Sequence, residues 1–258
     1  MEPTGTPVAM HVSDGIVNLP VSAVFGVVAV AWIALSLVKA RRDLDDRLAP
    51  MAGLVAAFIF AVQMLNFPVL PGVSGHLLGG ALAVILVGPW VGALCVATVL
   101  LVQALLFADG GLSALGLNIT NMAVITTLVA YGVVAVALRV LPKNRLGIVL
   151  ASFVAATVSV VVASQGFVAQ YALGGEVDKA LGEISVTMAG VHLLIGIGEG
   201  LITATTVATV AAVRPDLVYA LRRYRTQPLL ITAPPTASTT TSSESTSSES
   251  TRAAESNA

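Results

Sequence analysis

The chain has 258 residues, of which 56% are hydrophobic and only 10% are charged, and its mean hydropathy is +0.91. This composition exceeds what a water-soluble domain can bury, so it predicts a protein that uses lipid as part of its solvent. The net charge of −1 and the lack of a basic stripe exclude nucleic acid as an expected partner.

Apolar runs recur along the chain at lengths suited to helices that cross a hydrocarbon core of about 30 Å. Proline and glycine residues punctuate the breaks between them. The pattern predicts an all-α, polytopic bundle of about seven transmembrane helices in the cell membrane, near residues 21–39, 51–68, 76–90, 92–107, 119–140, 146–170 and 187–212. The polar Ser/Thr-rich segment 226–258 has no apolar period and is predicted to be a disordered tail.

The positive charges predict the orientation, because basic loops remain in the cytoplasm. All lysine and arginine residues except Lys179 fall in segments that seven helices would place on one side. The sequence therefore predicts an extracellular N-terminus and a cytoplasmic C-terminus.

Three histidines are the first candidates for chemistry, namely His11, His76 and His192. The predicted topology places all three in the outer half of the protein. Neutral imidazole is a common ligand of nickel, copper, zinc and cobalt, so a converging pair predicts a metal site. A hydrogen-bonded interface residue is the alternative for any one histidine taken alone.

Glu199 lies near the middle of the last predicted helix, where a carboxylate is costly unless it is paired, protonated or hydrated. It follows His192 by seven residues, which places the two side chains on one face but about 10 Å apart. This is not the spacing of a zinc hydrolase. We expect a structural anchor that bonds to backbone or to amides such as Asn66, Gln103 or Asn121, with direct metal ligation as the alternative.

Small residues recur at four-residue spacing on the second predicted helix. Such rows allow a neighbouring helix to approach closely, either inside the bundle or from a partner protein. The candidate docking residues are Ala52, Gly53, Ala56, Ala57 and Ala61.

Four motifs occur in order along the chain: MHVSDG (10–15), NFPV with SGHLLGGALA (66–83), LLVQALLFADGGLSALGLNITNM (100–122) and HLLIGIGEGLIT (192–203). Together they resemble the CbiM/NikM type of substrate-binding component of energy-coupling factor transporters, which import cobalt or nickel. The resemblance covers residues 10–212. It implies a seven-helix bundle whose extracellular N-terminus tucks into the core, as part of a transmembrane domain over residues 10–225.

The resemblance also implies a set of metal ligands. In the family, the ion is held by the amine of an initiating methionine, by the backbone nitrogen and imidazole of the next histidine, and by the histidine of the SGHLLGG motif. These positions are Met10, His11 and His76 here. The ion is a transported substrate, not a cofactor, and four nitrogens in a plane suit Ni²⁺. His192, Glu199, Asn66 and Asn121 are implied to be supporting or structural residues.

One feature departs from the family pattern, because residues 1–9 precede Met10 and a peptide bond would remove its amine. The segment has no basic region followed by an apolar core, so it is not a typical signal peptide. We expect the functional chain to begin at Met10, with residues 1–9 absent from it.

The resemblance implies a transport subunit without enzymatic activity of its own. The sequence lacks the G-x-x-x-x-G-K-[ST] phosphate-binding motif, so ATP hydrolysis is expected on a partner. The implied partners are a transmembrane coupling protein, a pair of ATP-binding cassette ATPases and often a small accessory membrane protein. Two alternatives remain open at this point: an intramembrane zinc enzyme using His76, His192 and Glu199, and a membrane assembly protein that binds no metal.

Overall fold

The computed structural model describes residues 11–43, 48–65, 67–70, 73–142, 144–176 and 180–222. The described residues belong to one compact, predominantly helical unit. Met10, Asn66, the leader 1–9 and the tail 226–258 lie outside them.

Helices dominate the described chain. They are α1 (Leu19–Asp43), α2 (Leu48–Gln63), α3 (Gly80–Val87), α4 (Pro89–Leu106), α5 (Leu115–Ile119), α6 (Thr126–Val140), α7 (Arg145–Gly174), α8 (Leu181–Val213) and α9 (Tyr219–Arg222). A π-helical turn (Thr120–Ile125) joins α5 to α6, and a 3₁₀ turn (Pro215–Leu217) precedes α9. The strands β1 (Phe67–Leu70) and β2 (Val73–Gly75) form an antiparallel hairpin that the sequence analysis does not predict.

Five segments are long and apolar enough to cross a membrane: α1, α4, the continuous run Leu115–Val140, α7 and α8. Helix α2, at 16 residues, is shorter. On the outer faces, apolar side chains such as Val27, Leu54 and Leu105 are exposed. Such surfaces suit contact with acyl chains, which confirms the prediction of a multi-pass membrane protein.

Helix α3 departs most from the prediction of a spanning helix over residues 76–90. It has only eight residues, so it is about 12 Å long and cannot cross the bilayer by itself. All eight residues are buried, and the helix contacts α2, α4, α6, α7, α8 and α9. It is therefore a short internal helix surrounded by protein, and residues 76–79 before it are not helical.

A tight turn at Gly88 joins α3 to α4. Gly88 has a φ of +87°, a left-handed value that favours glycine, and its amide donates to the carbonyl of Val84 at 2.9 Å. The Tyr219 ring closes this turn, because a Cβ on Gly88 would lie 2.9 Å from it. Helix α3 therefore runs from the interior to the turn, and α4 returns beside it.

Helices α7 and α8 form a closely packed antiparallel pair. The Thr157 hydroxyl donates to the carbonyl of Gly196 at 3.0 Å. A Cβ on Gly200 would lie 2.8 Å from the ring of Phe153 and 2.9 Å from the Thr157 hydroxyl. The lack of a side chain at Gly200 therefore permits the close approach of the two helices.

Replacing Gly200 by alanine is expected to destabilise the bundle. The new methyl group would push against the Phe153 ring, and overpacking of this kind costs about 1–3 kcal/mol. We expect a lower thermal unfolding temperature for the detergent-solubilised Gly200→Ala variant. Gly190→Ala, in the same helix, is the matched control, because a Cβ there has nothing within 4 Å. Equal unfolding temperatures for the two variants would contradict the packing argument.

Candidate metal centre

The first half of the site is the non-helical segment that leads into α3. Here the chain turns inward at His76, and the side chain of His76 is only 7% exposed. The break in helical structure leaves backbone amides at the start of α3 that need acceptors inside the protein.

Glu199 of α8 supplies these acceptors. Its Oε2 accepts from the Leu78 amide at 2.6 Å and its Oε1 accepts from the Gly79 amide at 3.0 Å. The Gln63 side chain donates to the Leu78 carbonyl at 2.8 Å. The carboxylate, 2% exposed, also lies at the positive end of α3, where a negative charge is favourable. Glu199 thus holds the chain that carries His76.

The second half of the site is the segment before α1, which passes through the protein interior. Asn118 pairs with both backbone groups of Val12, accepting from its amide at 3.0 Å and donating to its carbonyl at 3.2 Å. The Gly111 amide also donates to the Val12 carbonyl, at 3.0 Å. These bonds satisfy a buried backbone and place His11, at 6% exposure, in the core.

Gly110 gives the N-terminal segment room to enter. Its φ is +89°, and a Cβ there would lie 2.8 Å from the Cβ of His11. A larger residue would be strained in this conformation and would displace the histidine.

Two further contacts hold the N-terminal segment. Near its middle, the carboxylate of Asp14 accepts from the Ser113 hydroxyl at 2.5 Å and from the Ser113 amide at 2.9 Å. The Ser113 hydroxyl bond is the main reason that the pKa of Asp14 lies below its ordinary value. At its end, the Asn18 amide donates to the Gly174 carbonyl at 2.7 Å.

His11 and His76 meet in the interior. Their ring centroids are 4.8 Å apart with an interplanar angle of 46°. The His76 Nδ1 lies 2.9 Å from the Leu77 carbonyl, which can only accept, so this nitrogen carries the proton and Nε2 has the lone pair. His11 Nδ1 lies 3.0 Å from Oδ1 of Asp109. The buried His11 Nε2 makes no hydrogen bond within the described residues.

The two rings border a cavity of about 460 Å³. His192, Asn118 and Asn121 also line it, whereas Glu199 does not. Most of the remaining lining is apolar and comes from α7 and α8. Asn121 is held by a 2.8 Å bond from its Nδ2 to Oε1 of Gln170. The three histidines singled out from the sequence therefore open onto one cavity.

Direct ligation by three or more side chains does not occur in the described part of the chain, where no group of three His, Cys, Asp or Glu residues is close enough to hold an ion. The carboxylate of Glu199 is engaged with two amides. His11 and His76 thus form a buried imidazole pair that would need other donors to complete a coordination sphere.

The small residues of α2 separate into two rows. Ala52 and Ala56 are half-buried and pack against the core. Gly53, Ala57 and Ala61 are exposed on the outer face. The internal-packing interpretation therefore applies to the first row, and the second row is available on the surface of the chain.

Asp109 and Asn118 are site residues that the sequence analysis did not single out. Both lie in the motif LLFADGGLSALGLNITNM, so the motif is the signal that marks them. Their roles depend on a long-range contact with the N-terminal segment, which spacing within the motif does not reveal.

The fold and the site define a multi-pass membrane protein with a buried, histidine-lined cavity. The family model for CbiM, the cobalt uptake substrate-specific transmembrane region, matches residues 11–217. The chain belongs to this family, which confirms the resemblance inferred from the four motifs.

Named relatives and a solved structure agree with this assignment. A protein of Archaeoglobus fulgidus, provisionally named fused nickel transport protein NikMN, is 38% identical over 81% of this chain and 68% of its own length. The cobalt transport protein CbiM of Sorangium cellulosum is 30% identical over 85% of this chain and 99% of its own length. The crystal structure of a truncated transition metal transporter superposes with a TM-score of 0.71 and 29% identity, covering 79% of this chain and 99% of that one.

Removing the Glu199 carboxylate is expected to destabilise the inner end of the site. Glu199→Ala leaves the Leu78 and Gly79 amides buried without acceptors, at a cost of about 1–3 kcal/mol for each. Thermal unfolding in detergent should show a large decrease for Glu199→Ala and a smaller one for Glu199→Gln, which keeps one acceptor oxygen. Glu183→Ala, an exposed position on the same helix, is the control. An alanine variant as stable as this control would refute the anchoring role.

Proposed function

We propose that this chain is the substrate-binding membrane subunit of an energy-coupling factor importer for Co²⁺ or Ni²⁺. It would capture the ion outside and deliver it inward with the help of partner ATPases. Relatives named as cobalt and as nickel transport proteins support this substrate class. The observation that carries the proposal is the buried His11–His76 pair at 4.8 Å, with an unbonded His11 Nε2 among the described residues.

Nitrogen donors explain the choice of ion. Imidazole suits Ni²⁺ and Co²⁺, whereas Ca²⁺ and Mg²⁺ prefer oxygen ligands. The proposed ligands are the amine of Met10, the backbone nitrogen and imidazole of His11, and the imidazole of His76. A chelate through His11 Nδ1 requires the Asp109 carboxylate to move aside, because it lies 3.0 Å from this nitrogen without metal.

The proposed assembly has seven membrane crossings, with the N-terminus outside and the C-terminus in the cytoplasm. The antiparallel pairing of α7 and α8 supports this arrangement, because it brings Arg145 and Arg214 to one end of the pair and the bonded Gly174 to the other. The basic end is cytoplasmic in this proposal. The short internal α3, which α4 follows back across the protein, is the weakest of the seven crossings.

The proposed partners are a transmembrane coupling protein, ATP-binding cassette ATPases and a small accessory membrane subunit. The exposed row Gly53, Ala57 and Ala61 is the proposed docking face for the coupling protein. Its lack of bulky side chains would allow close helix approach.

The two alternative functions receive less support. A catalytic zinc site needs three protein ligands and an open position. Of the proposed set His76, His192 and Glu199, the carboxylate already accepts two backbone hydrogen bonds and faces away from the cavity. A metal-free assembly protein would not explain why two imidazoles are buried together.

Metal binding tests the proposed site. The purified chain that begins at Met10 should bind one Ni²⁺ or Co²⁺ tightly by titration, and His11→Ala and His76→Ala should each abolish tight binding because each removes a nitrogen ligand. The chain that retains residues 1–9 should bind weakly, since Met10 then has no free amine. Unchanged affinity in both histidine variants would move the ion elsewhere, and Glu183→Ala controls for general effects of mutation.

Reconstituted transport tests the proposed partners. Uptake of radioactive nickel or cobalt into vesicles should require the coupling protein and ATPases together with ATP. Ala57→Trp should reduce uptake while leaving ion affinity unchanged, because a bulky ring would obstruct docking. Val27→Trp, on the exposed face of α1, is the matched control. Equal uptake by the two variants would remove the docking role of α2.

A further inference from the structure

We propose that His192 is a transient ligand that receives the incoming ion in the cavity and transfers it to the His11–His76 pair. This inference rests on the proposed function, because it assigns one step of ion capture to a residue outside the ligand set. Its support comes from the position, the tautomer and the surroundings of the His192 ring.

The position of His192 places it at the level of the pair. It precedes Glu199 by seven residues of α8, which is about 10 Å along the helix. His76 precedes Leu78, which is bonded to Glu199, by two residues of extended chain, or about 7 Å. Both histidines line the same cavity. Glu199 thus brings two chain segments into a register in which the two imidazoles lie at similar depth.

The orientation of the ring leaves a metal-binding nitrogen available. His192 Nδ1 lies 2.9 Å from the carbonyl of Met188, one helical turn earlier, and a carbonyl can only accept. Nδ1 therefore carries the proton, and Nε2 has the lone pair. In the part of the chain that the structure describes, Nε2 makes no hydrogen bond. The tautomer is thus set by the helix itself, as in many metal-ligating histidines.

His192 is separate from the proposed coordination sphere. The described residues contain no group of three metal-ligating side chains, so His192 does not join His11 and His76 around one point. The ion must therefore travel between the two locations. The cavity of about 460 Å³ has room for this step. An ion with six waters occupies only about 180 Å³, at about 30 Å³ for each water.

The surroundings suit the exchange of water for nitrogen ligands. The hydroxyl-bearing residues Ser164 and Thr187 line the cavity beside His192, and much of the remaining wall is apolar. An ion that leaves bulk water there would lose part of its hydration without compensation. An imidazole at an intermediate point supplies a replacement ligand, so it lowers the barrier both to entry and to escape.

A role in transfer predicts a kinetic effect without an equilibrium effect. Rapid mixing of the purified chain with NiCl₂ should show association and dissociation rate constants that both fall by about tenfold in His192→Gln, a barrier increase of about 1.4 kcal/mol. The dissociation constant, measured separately by titration, should stay unchanged because the final ligands are intact. Glutamine retains a polar side chain but lacks the imidazole nitrogen. Thr187→Val, which lines the same cavity, is the matched control and should keep the parent rates.

Each alternative result has a defined meaning. Parent rate constants in His192→Gln would overturn the transfer role. A lost equilibrium affinity in His192→Gln, with normal thermal unfolding, would also overturn it and make His192 a ligand of the bound ion. Slowing of equal size in Thr187→Val would assign the effect to cavity shape. If the parent chain binds neither Ni²⁺ nor Co²⁺, the proposed function itself fails, and this inference fails with it.

Discussion

Polar backbone groups inside a membrane protein need partners from the protein itself, and the contact between Glu199 and the start of α3 meets this need. The chain loses helical structure at residues 76–79, deep among other helices. The carboxylate accepts from the Leu78 and Gly79 amides, and Gln63 donates to the Leu78 carbonyl. This arrangement allows a non-helical segment, and with it His76, to exist in the interior. The remaining features of the site depend on the position of this segment.

The His11–His76 pair is assembled from segments that are distant in sequence. His76 is carried by the entry to α3, whereas His11 is carried by an N-terminal segment that Asn118 and Gly111 hold by backbone pairing. Asp109 lies beside the His11 ring. Each half satisfies its own backbone before the imidazoles meet. A preorganised pair of this kind binds an ion without ordering the chain at the same time.

Small residues divide the molecule into tightly packed and lipid-facing regions. Gly196 and Gly200 allow α7 and α8 to approach, and the hydroxyl of Thr157 bonds between them. On α2, one small row packs inward and the other remains on the surface. Van der Waals packing and hydrogen bonds hold helices together where both the helix surfaces and the lipid are apolar. The closely packed helices in turn provide the walls of the histidine-lined cavity.

The sequence by itself determined the membrane class, the apolar segments, the family and the three histidines, because hydropathy and motifs are local properties of the chain. It did not determine that α3 is a short buried helix, since an apolar run is equally compatible with lipid and with a protein interior. Nor did it determine which group bonds to Glu199 or that Asp109 and Asn118 lie beside the N-terminal segment. Only the tertiary structure decided these points, because hydrogen bonds between residues separated by about a hundred positions depend on how the helices pack.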